Sequence, residues 1–258
     1  MPREQRLHPH NYTMASVQQI VMHPYVSQVL KFWSTTVGRD KTSRAVQYLS
    51  RFLAWYYLSV GAPKETVTRF SSIKSNIALS RKLFRIGKFL EHFQAALKAV
   101  ATPDPVLKVT AVGRQLGYAC YLMLDALQWI HGAKAYAFEK ETYQKIAKNA
   151  ARFWLIGLTF SLVSGVYKSY HLLQRNKLAK SPKATAEKEA ERRVELHQIA
   201  AETKAVRLQM LQDLCDWCNP GTSTGWLNLN DGVIGLAGVL SSSLGIRSQW
   251  IKVNGAAK

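Results

Sequence analysis

The sequence predicts an all-α protein: a helical membrane protein with an amphipathic membrane-remodelling helix and one or two hydrophobic membrane helices. Three observations predict it. No stretch alternates apolar and polar residues as a strand does, whereas steps of three and four recur along the chain. Residues 71–100 carry two stripes at helical spacing, one apolar and one basic. Two runs of 15 residues, 153–167 and 232–246, contain no charged side chain.

The chain has 258 residues, with 35 Lys+Arg against 16 Asp+Glu and a formal net charge of +19. Residues 1–100 hold 15 basic and 4 acidic side chains, so +11 of that charge lies in the first two fifths. Such an excess implies an anionic partner: nucleic acid, a membrane surface or an acidic protein. Nucleic acid is not the expected one. There is no zinc-finger spacing, RNA-recognition aromatic signature or Gly-rich phosphate cradle, and the basic residues share a helix with a large apolar face. Three cysteines make no disulfide framework. Cys215 and Cys218 form a CxxC without a second pair or a His cluster, so neither a metal nor a redox site is expected. No paired catalytic carboxylates, GxSxG or nucleotide loop is visible, so neither an enzyme nor a cofactor is expected. The N-terminal stretch has no apolar core of a secretory signal, and residues 254–258 are not a Ser-Lys-Leu type of address.

Taken in order, residues 1–22 read as a disordered lead. A cytosolic helical region spans 23–101. In it, His23-Pro24 opens a helix reaching about Thr36, and Gly38-Arg39-Asp40 reads as a break followed by an N-cap. A second helix runs from Lys41 to about Val60, and Gly61-Ala62-Pro63 ends it. A third, continuous from about Lys64 to Ala101, carries the amphipathic segment 66–100. Pro103 and Pro105 break the chain again. Residues 106–170 form apolar helices interrupted by Arg114 and Asp125, and include the candidate membrane segment 153–167. Residues 171–218 read as a charged loop and then a helix from about Thr185. Ser181, followed by Pro182 in this loop, is a possible phosphorylation site. Asn219-Pro220-Gly221 reads as a turn, and 219–258 as a C-terminal membrane anchor and short tail.

Fifteen residues cover ~22 Å of helix, short of the ~20 residues a full span wants. Arg152 and Lys168 bracket the first run and can snorkel to both interfaces. A buried core helix remains an alternative there. In the second run Gly235, Gly238 and Ser241 to Ser243 suit close helix packing in lipid and self-association.

The stripes of 71–100 are specific in residue type. Leu79, Leu83, Ile86, Leu90, Phe93 and Leu97 form the candidate membrane-inserting face, and Lys74, Arg81, Arg85 and Lys88 the candidate face for anionic lipid. Glu91 is the one acidic residue between Arg69 and Lys98. A further apolar row, Phe70, Ile73, Ile77 and Phe84, flanks the basic stripe and offers a grip for a neighbouring helix. Pattern alone leaves core packing and lipid contact both open.

Three blocks together carry a resemblance. The first runs from His23-Pro24 through Lys31-Phe32, Thr35 to Lys41, Arg44, Gln47-Tyr48 and Arg51-Phe52. The second runs from Ser80 to Leu90. The third runs from Gly225-Trp226 through Asp231-Gly232, Gly235, Gly238 and Ser241-Ser242. In order and spacing they resemble the peroxin-eleven family of peroxisomal membrane proteins, fungal type, over about 23–250; the N-terminal lead and segment 174–216 depart from it. The resemblance implies a peroxisomal membrane protein with cytosolic termini that elongates the organelle before fission. It also implies a dynamin-related fission GTPase and its tail-anchored adaptor as partners. The family's membrane-remodelling helix matches 66–100. Two other roles stay open: a channel for small metabolites, and a scaffold that recruits fission machinery without bending lipid.

Overall fold

The structure is a computed structural model that describes residues 17–180 and 186–255, and its described residues are helical with no strand. A helical turn at 17–21 occupies the described end of the lead, where a disordered segment was expected; residues 1–16 lie outside the described residues. The helix α1 (Pro24–Ser34) starts where His23 Nδ1 accepts from the Tyr25 amide and Pro24 sits in the first turn.

Helix α2 (Thr36–Ser59) begins earlier than expected. Thr35 caps it, accepting from the Gly38 amide at 3.0 Å, and the helix runs unbroken through residues 38–40. Gly38 is therefore no breaker: a Cβ there would collide with the Phe32 carbonyl. Helix α3 (Lys64–Leu83) and helix α4 (Phe89–Ala99) replace the single helix expected over 64–101. Residues 84–88 form a turn in which Gly87 has φ +81°, a conformation the helix cannot contain.

Asp104 caps α5 (Pro105–Gly132), accepting from the Leu107 amide at 2.9 Å and from the Tyr167 hydroxyl at 2.8 Å. Those donors, the Leu107 amide foremost, hold its carboxyl below the usual carboxylate range. Helix α6 (Lys140–Ala179) absorbs both the polar stretch before the apolar run and the start of the expected charged loop. Helix α7 (Ala186–Thr224) runs straight through the turn expected at residues 219–221, with Pro220 inside it. Side-chain hydroxyls meet the carbonyls around the proline: Thr222 Oγ1 donates to Cys218 and Ser223 Oγ to Asn219, both at 2.9 Å. Asn230 caps the last helix, α8 (Asp231–Asn254), through the Val233 amide.

Neighbouring helices of a ring pack antiparallel in the order α2, α3, α5, α6, α7, α8 and back to α2, with α4 prolonging α3 along α5. Two close crossings set its geometry. Along α8, Gly232, Gly235, Gly238 and Gly245 face Trp55, Phe52, Tyr48 and Lys41 of α2 in reverse order. Of the small residues expected to suit close packing, Gly235, Gly238, Ser241 and Ser242 are buried within the chain, and Ser243 is exposed. Between α5 and α6 the backbones meet: a Cβ on Gly117 would stand 2.9 Å from Gly157 Cα. Beyond Tyr167, α6 outruns α5 and continues beside α7, where Arg175 Nη1 pairs with Glu202 at 3.1 Å.

Among the described residues, α6 is the one helix long and apolar enough to cross a membrane, with a mean hydropathy of 1.3 over its most apolar window. Helix α8, the expected anchor, falls short because Asp231 and Arg247 leave only 15 uncharged residues between them.

At the α5–α6 crossing the obstacle to a larger side chain is backbone, which cannot rotate away. Gly117→Val is expected to destabilise the protein by about 1–3 kcal/mol, lowering the melting temperature of the detergent-solubilised chain. An unchanged melting temperature would refute the close crossing.

Candidate functional site

The helices border a half-open chamber of about 760 Å³, lined from α2, α3, the 84–88 turn, α4, α5, α6 and α7. Its wall is charged. Three carboxylates organise it. Asp216 of α7 accepts both terminal nitrogens of Arg44, and Ser241 of α8 also donates to it. Asp40 accepts from Arg81 Nε at 2.9 Å, and Arg81 Nη1 reaches Gln47 at 2.7 Å. Asp125, only 1% exposed, holds Lys82 on one oxygen and Arg85 Nη2 on the other at 2.6 Å. A fourth, Asp213, accepts from Ser161 at 2.6 Å and Gln209 at 2.9 Å. Arg51 adds a link outside this set, joining α2 to Asn219 of α7 and Asp231 of α8.

The outer surface is the reverse. Leu49 of α2, Leu116 of α5, Ile156 of α6, Leu214 of α7 and Leu236 and Leu240 of α8 are all exposed large apolar side chains. An apolar groove of about 870 Å³ runs along α5 and α6, lined by Val109, Ile156, Phe160, Val163 and both Trp217 and Trp226. Charge inside and apolar side chains outside invert the ordinary distribution of a water-exposed bundle.

The residues singled out on 71–100 divide between these two environments. Leu83, Ile86, Leu90 and Leu97 point outward, the last two 57% and 75% exposed, and Phe84 and Val100 extend the row. Phe93 is half-buried, and Leu79 is turned against Gly132 of α5. The four cations do not form an outward stripe. Arg81 is buried on Asp40, Arg85 is held by Asp125, Lys88 lines the chamber, and Lys74 lies 3.7 Å from Asp231. The reason is the break at Gly87 together with the inward carboxylates, which offer Arg81 and Arg85 fixed partners that a mobile headgroup does not. Ser181 lies outside the described residues. Sequence reasoning missed Asp40, Asp125 and Asp216 as organising groups. The available signal was a lone carboxylate in an otherwise apolar helix, such as Asp125, with cations elsewhere to match.

Fold and site together define an all-α membrane bundle with a charged interior. The family model described as Peroxisomal biogenesis factor 11 (PEX11) matches residues 26–250, and the chain belongs to that family. It is 30% identical over 247 residues to "Peroxisomal membrane protein PMP30B" of Candida boidinii, covering 90% of this chain and 96% of that one. It is 30% identical over 237 residues to "Peroxisomal membrane protein PMP27" of Saccharomyces cerevisiae, covering 90% and 97%. It is 26% identical over 239 residues to "Peroxisomal biogenesis factor 11" of Schizosaccharomyces pombe, covering 90% and 98%. No solved structure matches it.

Removing the Asp125 charge leaves Lys82 and Arg85 facing each other without a counterion. Asp125→Asn is expected to destabilise the chain by about 3–5 kcal/mol, read as a lower melting temperature and faster proteolysis. Glu195→Gln, at an exposed pair 3.9 Å from Arg175, is expected to change neither.

Proposed function

We propose that the protein resides in the peroxisomal membrane and elongates it by seating the outward apolar row of α3 and α4 in one leaflet. The observation that carries this reading is the row itself: Leu83, Phe84, Ile86, Leu90, Leu97 and Val100 face away from the bundle, while Arg81 and Arg85 of the same segment are held by carboxylates within it. Each apolar side chain moved from water to lipid contributes ~1.5–3 kcal/mol. Volume inserted into one leaflet expands it against the other, and curvature relieves the mismatch. Headgroup attraction is secondary in this form of the mechanism, because Arg81 and Arg85 already have carboxylate partners.

Family membership supports the location and the role in proliferation. The antiparallel ring supports a common side for the two described ends: Gln249 Nε2 donates to Thr35 at 3.4 Å, and Trp250 packs on Tyr25 and Phe32. That side is the cytosol in the resemblance, where the fission GTPase and its adaptor then act on the elongated membrane.

The full-length protein reconstituted into liposomes is expected to draw tubules visible by electron microscopy. Leu83→Glu/Leu90→Glu, both at exposed positions and so compatible with folding, is expected to leave them spherical. Tubules of equal length from both proteins would sink the reading.

A second reading, a conduit for small polar metabolites, is favoured by one observation: a closed ring of helices around a charged chamber with apolar side chains outside. It predicts step-like conductance in planar bilayers that Ala150→Trp, which fills the chamber wall from α6, reduces. Bilayers that stay silent with the full chain would exclude it.

A further inference from the structure

We infer that the chamber is a binding site for a small oxyanion carrying two or more negative charges, held by Lys41, Lys88 and Arg114 with Lys148 at the edge. The argument is a charge count within one cavity. The wall carries eight cationic side chains, Lys41, Arg44, Arg81, Lys82, Arg85 and Lys88 with Arg114 and Lys148, and four carboxylates. Every carboxylate is taken: Asp216 by Arg44, Asp40 by Arg81, Asp125 by Lys82 and Arg85, and Asp213 by Ser161 and Gln209. Lys41, Lys88, Arg114 and Lys148 line the same space without a carboxylate within ion-pair distance among the described residues.

A second observation points at a ligand. Arg114 lines the chamber with its guanidinium 5.6 Å from the Tyr118 ring centroid and forms no ion pair among the described residues. A guanidinium held in a partly desolvated wall without a carboxylate is a charge that an anion in the cavity offsets. The remaining wall suits a polyatomic anion. Gln115, Gln128, Gln144 and Gln212 present amide donors, and about 760 Å³ accommodates a ligand the size of a tripolyphosphate or a tricarboxylate. The excess positive charge selects against small cations and favours ligands of higher negative valence. The inference concerns occupancy of the chamber and requires neither tubulation nor conductance.

The test is isothermal titration calorimetry on the full-length protein in nanodiscs of zwitterionic lipid. The probes are tripolyphosphate, citrate, chloride and a short-chain phosphatidylinositol bisphosphate. The expected result is saturable one-to-one binding of tripolyphosphate or citrate that weakens with salt and is absent for chloride. Lys88→Gln and Arg114→Gln are each expected to weaken binding about tenfold, as for loss of a charged hydrogen bond. Arg114→Lys is expected to recover most of the loss, which separates charge from folding, and melting curves of each variant check the fold. Lys145→Gln, on the exposed surface and paired with Glu141, is expected to bind as the native protein does. Saturation by the lipid headgroup alone, no saturable binding of either free anion, or unchanged affinity in folded Lys88→Gln and Arg114→Gln would overturn the inference.

Discussion

The neutralisation of inward-facing cations by three carboxylates is the constraint on which the structure depends. Arg44, Arg81, Lys82 and Arg85 sit on helices whose other faces are apolar and turned outward. Such helices cannot close around one another unless the charges meet partners, because an uncompensated buried cation opposes association more strongly than several leucines favour it. Asp40, Asp125 and Asp216 supply the partners from three different helices, so each pair also fixes a neighbour. Asp216 ties α7 to α2, Asp40 ties α2 to α3, and Asp125 ties α3 and its turn to α5. Two of the six neighbour contacts around the ring, α2–α3 and α3–α5, are thereby fixed by ion pairs, and the Arg44–Asp216 pair braces α2 and α7 across the interior.

Two further contacts, α8–α2 and α5–α6, rest on close approach. Glycines at Gly232, Gly235, Gly238 and Gly245 let α8 lie against the aromatic side of α2, and Gly117 and Gly157 bring α5 and α6 into backbone contact. Packing of this kind suits helices in lipid, where apolar burial supplies little drive between helices and dispersion between closely fitting surfaces supplies more. The three sequence blocks that carry the family resemblance meet here. Gln47 and Asp40 of the first block hold Arg81 of the second. Arg44, Tyr48, Arg51 and Phe52 of the first meet Ser241, Gly238, Asp231 and Gly235 of the third. The blocks are far apart in the chain because they form contacts between helices, which sequence spacing along any one helix does not reveal.

The break at Gly87 changes what the amphipathic segment can do. A straight helix over 64–101 would present its basic stripe to headgroups and its apolar stripe to acyl chains. Divided into α3 and α4, the segment instead presents polar groups to the chamber and apolar groups outward, so one surface is apolar and exposed and the other faces a charged interior. The exposed apolar row, on which the proposed membrane shaping rests, and the charged chamber are then two consequences of one arrangement.

The sequence by itself determined the all-α class, the apolar run at 153–167 inside α6, the helix opened by His23-Pro24 and the apolar row from Leu83 to Leu97. These follow from local rules: helical period, capping chemistry and run length act over a few residues. It did not determine that Gly38 and Pro220 lie within helices, that Gly87 interrupts one, or that Arg81 and Arg85 turn inward. Those outcomes depend on partners 34 to 43 residues away, such as Gln47, Asp40 and Asp125, or on a close approach such as Gly38 to the Phe32 carbonyl. A cation on an amphipathic helix has the same local signature whether it meets a phosphate or a buried carboxylate. Only the tertiary structure, by placing Asp40 and Asp125 within reach, decided which, because the attraction of a fixed counterion in a low-dielectric interior exceeds that of one shared with solvent.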